Sequence, residues 1–175
     1  MANTYTLISS NVLSSSAASV TFSSIPATYT DLVLRVSARE NAGGQYPNAI
    51  NLTFNGSSAS NYSITHAYAD TTSASSNRYS NQPAAYINGA VNGSTSTSNT
   101  FSSVEIYIPS YNATQNKPFA TSYVVETALY SNLVWTVGTA AGLRSVTAAI
   151  TSITLDCGAS FGIGSSFYLY GIKNS

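Results

Sequence analysis

Hydrophobic and polar residues alternate along most of this chain with a period of two, the period of side chains on a β-strand. The stretch from 31 to 39 shows the pattern most clearly, because one parity is wholly apolar and the other is mostly polar. The apolar parity consists of Leu32, Leu34, Val36 and Ala38. Such a strand belongs in a sheet that buries one face and exposes the other.

The same reading predicts ten strands outside one unusual region, and turn residues such as Asn55-Gly56 separate them. They are Thr4–Ile8, Ser19–Phe22, Asp31–Arg39, Asn48–Phe54, Tyr62–Ala69, Phe101–Ile108, Phe119–Ala128, Leu133–Gly138, Thr151–Cys157 and Ser166–Lys173. A single helical turn is predicted around Val146–Ile150, and no segment sustains a helical period. The pattern therefore predicts an all-β fold, a jelly-roll-like antiparallel β-sandwich that spans 1–175 as one domain.

The unusual region runs from about 70 to 100, where Ser, Thr and Asn dominate on both sides of Pro83–Ile87. A structureless segment of this length is uncommon inside a compact domain. We therefore interpret 70–100 as an exposed loop or two-stranded arm inserted into the sandwich.

Charge is scarce, since only 7% of the 175 residues are Asp, Glu, Lys or Arg and the formal net charge is +0. A surface of this kind neutralises few phosphates, which argues against nucleic-acid binding and against attachment to a membrane surface. Because copies hardly repel one another, the composition permits self-association. The N-terminus has no signal-peptide pattern and no apolar run approaches 18 residues, so we expect a soluble product that folds in the cytosol.

Residues that suggest chemistry are few and scattered. Gly158–Gly162 matches the hydrolase pattern G-x-S-x-G around Ser160, but no His, Asp or Glu follows it. The single histidine, His66, cannot form a metal site alone. Glu105 and Glu126 fall on neighbouring predicted strands and are the one carboxylate pair suited to glycoside hydrolysis. We expect a non-enzymatic protein with no catalytic, cofactor or metal site, and Cys157 reads as a small buried residue.

The 13 tyrosines are the most suggestive feature of the composition. Several fall in predicted loops or at outward strand positions, where aromatic rings supply contact area at low entropic cost. The candidate contact residues are Tyr62, Tyr68, Tyr79, Tyr86, Tyr107 and Tyr111. Because tyrosine enrichment with depleted charge marks the cores of protein interfaces, subunit contacts are favoured over stacking on sugar rings.

Three segments carry a resemblance to a known group of proteins. They are S-V-T-F-S-S-I-P-A-T-Y-T-D-L-V-L-R-V-S-A-R at 19–39, L-T-F-N-G at 52–56 followed by N-Y-S at 61–63, and F-Y-L-Y-G-I-K at 167–173. Together they resemble small virion structural proteins of tailed bacteriophages, particularly phages of aquatic and cyanobacterial hosts. The resemblance covers both ends of the chain and leaves 70–100 unmatched.

The resemblance implies a virion location, with synthesis and assembly in the bacterial host cytoplasm, and it brings no catalytic residues. Within that setting the sequence favours a capsid decoration or cement protein that forms a trimer and binds the major capsid protein. The alternative is a tail-fibre tip or receptor-binding module with lectin-like recognition of a host-surface glycan. A lectin-like domain outside any phage ranks third, and an enzyme ranks last.

Overall fold

The structure is a computed structural model that describes residues 4–42, 48–70, 73–127 and 134–173. Within these ranges the chain forms strands and turns without any helix. The strands are β1 (Tyr5–Val12), β2 (Ala17–Phe22), β3 (Asp31–Ser37), β4 (Asn48–Phe54), β5 (Tyr62–Ala69), β6 (Ala74–Gln82), β7 (Ala85–Val91), β8 (Ser103–Ile108), β9 (Lys117–Thr127), β10 (Val134–Arg144), β11 (Ile153–Phe161) and β12 (Ser166–Ile172). The predicted all-β class is confirmed.

The strands form two antiparallel sheets, which we call the large sheet and the small sheet. The large sheet has eight strands in the order β1-β12-β3-β8-β9-β10-β5-β6, and the small sheet has four in the order β2-β11-β4-β7. Aliphatic and aromatic side chains from both sheets fill one core between them. This packing of two sheets through a shared core is a β-sandwich.

A jelly roll emerges when the two hairpins β5–β6 and β9–β10 are set aside. The remaining eight strands pair first with last, second with seventh, third with sixth, and fourth with fifth. Additional pairing of β12 with β3 and of β11 with β4 rolls this long hairpin into two four-stranded sheets. That arrangement is the double Greek key of a jelly roll, so the predicted jelly-roll-like sandwich is confirmed.

The two inserted hairpins widen only one sheet. Both add to the β8 edge of the large sheet, with β9 on β8, β10 on β9, β5 on β10 and β6 on β5. The large sheet thereby becomes twice as wide as the small sheet that packs on it. Its outward side is a broad surface of pleated strands.

Burial follows the predicted alternation closely in the central strands. Leu32, Leu34 and Val36 are buried, and along β9 every second residue from Lys117 to Val125 is buried while the residues between them are exposed. Fully burying one such aliphatic side chain contributes about 1.5–3 kcal/mol. The period-two pattern is therefore what specifies register and which side of each strand faces the core.

The stretch from 70 to 100 differs from the predicted arm. It supplies β6, the polar edge strand of the large sheet, and β7, a buried edge strand of the small sheet, so the chain crosses from one sheet to the other. The loop that follows is held by the guanidinium of Arg39, which donates hydrogen bonds to the main-chain carbonyls of Ser94, Ser96, Thr97 and Thr100. The polar composition reflects an exposed edge strand and a pinned loop, and not a projection from the body.

The connection from β10 to β11 also differs from the prediction. Val146–Ile150, expected to form one helical turn, is irregular in the structure. The amide of Ile150 donates to the carbonyl of Tyr111, and the side-chain amide of Asn55 donates to the carbonyl of Ala149. These two hydrogen bonds to other segments compete with helix formation in a short stretch that lacks caps.

Candidate interaction surface

The broadest surface in the described ranges is the outward side of the large sheet, which we call the large outer face. The strand register aligns its side chains in rows that cross all eight strands. One row consists of Leu7, Tyr170, Val33, Tyr107, Ala120, Ala141, Thr65 and Arg78. A parallel row ends in Val124, Val137, Ala69 and Ala74.

This face carries nearly all of the exposed large apolar side chains among the described residues. Six of the seven lie on it, and only Ile163 lies elsewhere. The six are Tyr5, Leu7, Val12, Tyr107, Val124 and Val137, which are 37–59% exposed. Apolar side chains scattered singly over a surface need no explanation, but the row from Leu7 to Ala141 is apolar or aromatic on every strand it crosses, and an apolar patch of this kind is a candidate contact site.

The face divides into two halves of different shape. The tyrosine half, on β1, β12, β3 and β8, carries Tyr5, Tyr107, Tyr168 and Tyr170, and the rings of Tyr5 and Tyr170 meet edge to face at 6.4 Å. The small-residue half, on β9, β10, β5 and β6, presents mainly alanine, serine, threonine and valine. A shallow, mostly apolar depression on this half is lined by residues that include Ala67, Ala69, Ala74, Val137 and Gly138.

Charge on the large outer face is balanced at its centre. Arg35 on β3 forms an ion pair with Glu105 on β8, with 2.9 Å between Nη2 and Oε2. Nearby, the hydroxyl of Tyr107 donates a hydrogen bond to Asp31 Oδ2 at 2.8 Å. That hydrogen bond, with burial, raises the pKa of Tyr107 above its ordinary value. The centre therefore has fixed polar contacts, and its exposed ion pair is itself neutral.

The outward side of the small sheet, the small outer face, is built differently. Its side chains are mostly Thr, Ser, Asn and Asp, and they bond to one another across strands. Thr21 and Thr154 share a hydrogen bond of 2.9 Å between their hydroxyls, and Asn51 Nδ2 donates to Asp156 Oδ1 at 2.6 Å. This face is polar and its hydrogen bonds are satisfied internally.

The six tyrosines predicted as contact residues do not share one surface, and two of them need correction. Tyr62 and Tyr111 are fully buried: the Tyr62 hydroxyl accepts the amide of Phe54, and the Tyr111 hydroxyl donates to the carbonyl of Pro26. Their hydroxyls satisfy main-chain groups in the interior, so these two side chains belong to the core and not to the surface.

Three of the other predicted tyrosines lie on consecutive strands, Tyr68 on β5, Tyr79 on β6 and Tyr86 on β7. All three are half-buried. The rings of Tyr79 and Tyr86 meet at 6.3 Å, and Asn88 Nδ2 donates to the Tyr79 hydroxyl at 2.8 Å. Of the six, only Tyr107 lies on the large outer face.

A group of buried polar side chains lies beneath the small-residue half. Thr121 and His66 flank Ala140 in one row of the inner face, and Tyr123 lies in the adjacent row. Burial lowers the pKa of His66, with the main chain of Tyr86 opposing that shift, and burial raises the pKa of Tyr123 to about 12. All three are almost completely buried, so this group has no open path to a substrate.

Two buried cations occupy the end of the sandwich where β9 begins and β10 ends. Lys117 and Arg144 are cross-strand neighbours. Lys117 Nζ donates to the main-chain carbonyls of Ala113, Gln115 and Thr147. Burial and the neighbouring Arg144 lower the pKa of Lys117. Lys117 therefore ties two loops together through their carbonyls.

Among the side chains that the structure describes, the residues that suggested chemistry are not brought together. Ser160 lies inside β11 and not on a strand-to-helix turn. Glu105 pairs with Arg35 on the large outer face, and the side chain of Glu126 falls outside the described residues. Cys157 is buried as predicted, and burial raises its thiol pKa to about 11.

The described ranges contain neither a cluster of metal ligands nor a membrane-spanning helix. No three His, Cys, Asp or Glu side chains there come close enough to hold a metal ion. Nor do those ranges contain a helix long and apolar enough to cross a bilayer.

Sequence reasoning missed most of the large outer face. Leu7, Val124, Val137, Tyr168 and Tyr170 were not singled out, although the signal was present. In F-Y-L-Y-G-I at 167–172 both parities are apolar or aromatic, and in T-S-Y-V-V at 121–125 a valine stands at an outward position. A strand that is apolar on both parities in a sandwich indicates that its outer side is covered as well.

Comparison of the chain with protein-family models, with curated proteins and with solved structures finds no match. The class that the fold defines is an all-β jelly-roll sandwich with two inserted hairpins.

Proposed function

We propose that this chain is a non-enzymatic structural protein of a tailed-phage virion. In this proposal it is a capsid decoration or cement protein that binds the head surface through the major capsid protein and associates with copies of itself as a trimer. The observation that carries the proposal is the large outer face, which is eight strands wide and holds six of the seven exposed large apolar side chains among the described residues.

The surface carries more weight than the fold in this argument. Jelly rolls build viral capsid domains, but they also build lectins and enzymes, so the fold alone does not define a function. A flat face with exposed Leu, Val and Tyr and a balanced ion pair suits a protein partner better than a small molecule, which favours a concave pocket. Depleted charge and enriched tyrosine are also the composition of an interface core.

The test is to locate the chain in particles. Virions from the phage or host that encodes it are purified by density gradient, and the chain is quantified by mass spectrometry against the major capsid protein. A fixed ratio across independent preparations, with antibody labelling on the heads, is expected. Absence from the particle fraction, or a ratio that varies from one preparation to another, contradicts the proposal.

A tail-fibre tip or receptor-binding module is the second candidate. The row Leu7, Tyr170, Val33, Tyr107 favours it, because rings on an exposed sheet can stack on sugars. Antibody labelling on tail tips, together with glycan-array binding that Tyr107→Ala abolishes, would support this candidate over decoration. Labelling on heads without glycan binding would exclude it.

A further inference from the structure

We infer that copies of this chain associate through the large outer face, with the tyrosine half of one copy packed against the small-residue half of the next. The inference rests on the proposed function only for its setting, a protein that works in multiple copies. It deepens that proposal by naming the surface and the way in which the two halves meet.

Shape is the first argument. The tyrosine half carries Leu7 and four outward tyrosines, whereas the small-residue half carries short side chains around a shallow apolar depression lined by Ala67, Ala69 and Ala74. Packing like halves together would place ring against ring at one end and leave a gap at the other. Packing unlike halves fills the depression with the larger side chains, as close packing at an interface core requires.

Area is the second argument. With strands about 4.8 Å apart and about six residues of each strand engaged at about 3.3 Å per residue, the face measures about 38 by 20 Å, or about 750 Å². A standard stable interface buries about 800 Å² per partner. The contact therefore needs nearly the whole face, and each copy commits both of its halves.

Charge and closure complete the argument. The exposed Arg35–Glu105 pair at the centre leaves no net charge to repel a second copy. Because the two halves differ, two copies can pack with each half on the unlike half of the other, which engages the whole face in one contact, whereas a closed ring divides the face between two neighbours. A ring of three therefore buries about half of this area, about 380 Å², on each side of each contact.

The experiment measures the mass of the purified full chain by sedimentation across micromolar to sub-millimolar concentrations. Val137→Lys and Leu7→Lys place a charge on opposite halves, at side chains that are 54% and 51% exposed. Thr21→Lys, on the exposed small outer face, is the matched control. Each large-face variant is expected to raise the dissociation constant at least tenfold, with unchanged circular dichroism and melting temperature, and the control is expected to match the wild type.

A mixing arm tests how the halves meet. Leu7→Lys and Val137→Glu each weaken association alone, and their mixture is expected to recover it, since the lysine of one copy meets the glutamate of the next. Contact of like halves predicts no recovery and overturns the inference. A wild-type chain that is monomeric throughout, or variants that associate like the wild type, overturns it as well.

The outcomes separate the inference from the proposed function. Virion-bound protein that stays monomeric in solution contradicts the inference and leaves the function standing. A trimer that is sensitive to these variants but absent from virions supports the inference and contradicts the proposed function. A dimer with the same mutational pattern retains the contact of unlike halves and contradicts the trimer.

Discussion

The outer faces of the two sheets differ in the side chains that they expose to water. On the small outer face, outward side chains bond to one another, as Asn51 does to Asp156 and Thr21 to Thr154. On the large outer face, outward positions hold valine, leucine and tyrosine at 37–59% exposure. The small outer face therefore satisfies its polar groups within itself, whereas the large outer face leaves apolar area exposed that an association could bury.

The difference also has a topological origin. The small sheet has only jelly-roll strands, whereas the large sheet gains β5, β6, β9 and β10. The hairpins double the width of one face and hardly change the other. The difference in width between the two faces thus comes from the inserted hairpins. The two faces are also expected to differ in stability and in association, as follows.

The largest effect on stability is expected for Gly142→Ala, on the core side of β10. A Cβ at Gly142 would lie 2.0 Å from Cζ of the Phe119 ring, so the ring must move within a packed core. Overpacking of this kind costs about 1–3 kcal/mol. Chemical denaturation should show a lower midpoint for Gly142→Ala, whereas Ala141→Ser, one residue away on the large outer face, should stay within about 0.5 kcal/mol of wild type. Equal losses from both variants would mean that the outer side of β10 is packed as tightly as its core side.

Alkaline pH should weaken the core behind the small outer face. Cys157 faces inward on β11, and burial raises its pKa from 9.0 to about 11 in the folded state. The unfolded chain loses this proton first, so the stability contributed by the thiol is present below pH 9 and is lost as pH rises towards 11. A rise in pKa from 9.0 to about 11 corresponds to about 2–3 kcal/mol. Urea titrations from pH 8 to 10 should show wild type losing more stability than Cys157→Ala, and parallel pH profiles would contradict the shift.

Acid pH should destabilise the protein through His66, which is buried beneath the small-residue half of the large outer face. Burial lowers the folded-state pKa of His66, so below about pH 6.5 the unfolded chain binds a proton that the folded chain binds less readily. Stability is therefore full above that pH and falls below it, by at most about 1.4 kcal/mol per pH unit. Wild type should lose stability relative to His66→Gln between pH 7 and 5. Titration of Glu40, whose pKa burial raises, is common to both proteins and cancels in the difference.

The two pH responses illustrate what the sequence could and could not predict. Alternation predicted the strand that contains Cys157 and the burial of its side chain, because inward positions follow from local period alone. It also placed Tyr107 outward. It could not predict that Tyr62 and Tyr111 are buried. The Tyr111 hydroxyl bonds to the carbonyl of Pro26, which is remote in sequence, and the Tyr62 hydroxyl bonds to the amide of Phe54, which lies across a loop.

Three of the four strands in the inserted hairpins were predicted at least in part, and only β6 was hidden, for a similar reason. Residues 74–82 are polar apart from Ala74 and Tyr79, so β6 shows no apolar alternation, and its pairing with β5 at the sheet edge defines it. Which strands adjoin in a sheet depends on long-range pairing, and the large outer face exists only after that pairing. The surface could therefore not be assembled from local pattern, although its apolar outward residues were visible one strand at a time.

Removing a polar side chain should lower the free energy of unfolding more on the small outer face than on the large outer face, by a smaller amount than the changes above. Asp156 Oδ1 accepts from Asn51 Nδ2 and from the amide of Gly158. Asp156→Ala removes both bonds on a half-buried surface and should cost about 1 kcal/mol of unfolding free energy. Ser122→Ala, at an exposed position of the large outer face, should change it by less than about 0.5 kcal/mol. If Ser122→Ala proves the more destabilising, the large outer face depends on its hydroxyls for its own stability.

The smallest effect on stability is expected from the Arg35–Glu105 pair. The same pair should distinguish the two outer faces most directly, through its effect on association. Both side chains are more than two-fifths exposed, and an exposed pair of this kind contributes about 0.2–1 kcal/mol. Arg35→Glu should therefore lower stability only slightly, and the double change Arg35→Glu with Glu105→Arg should restore it. Association should respond differently, because a neighbouring copy removes water from the pair and leaves an unpaired charge in an apolar contact. The single variant should dissociate the oligomer in sedimentation while the swapped pair re-forms it. A single variant that associates normally would show that the centre of the large outer face stays in water, as the small outer face does.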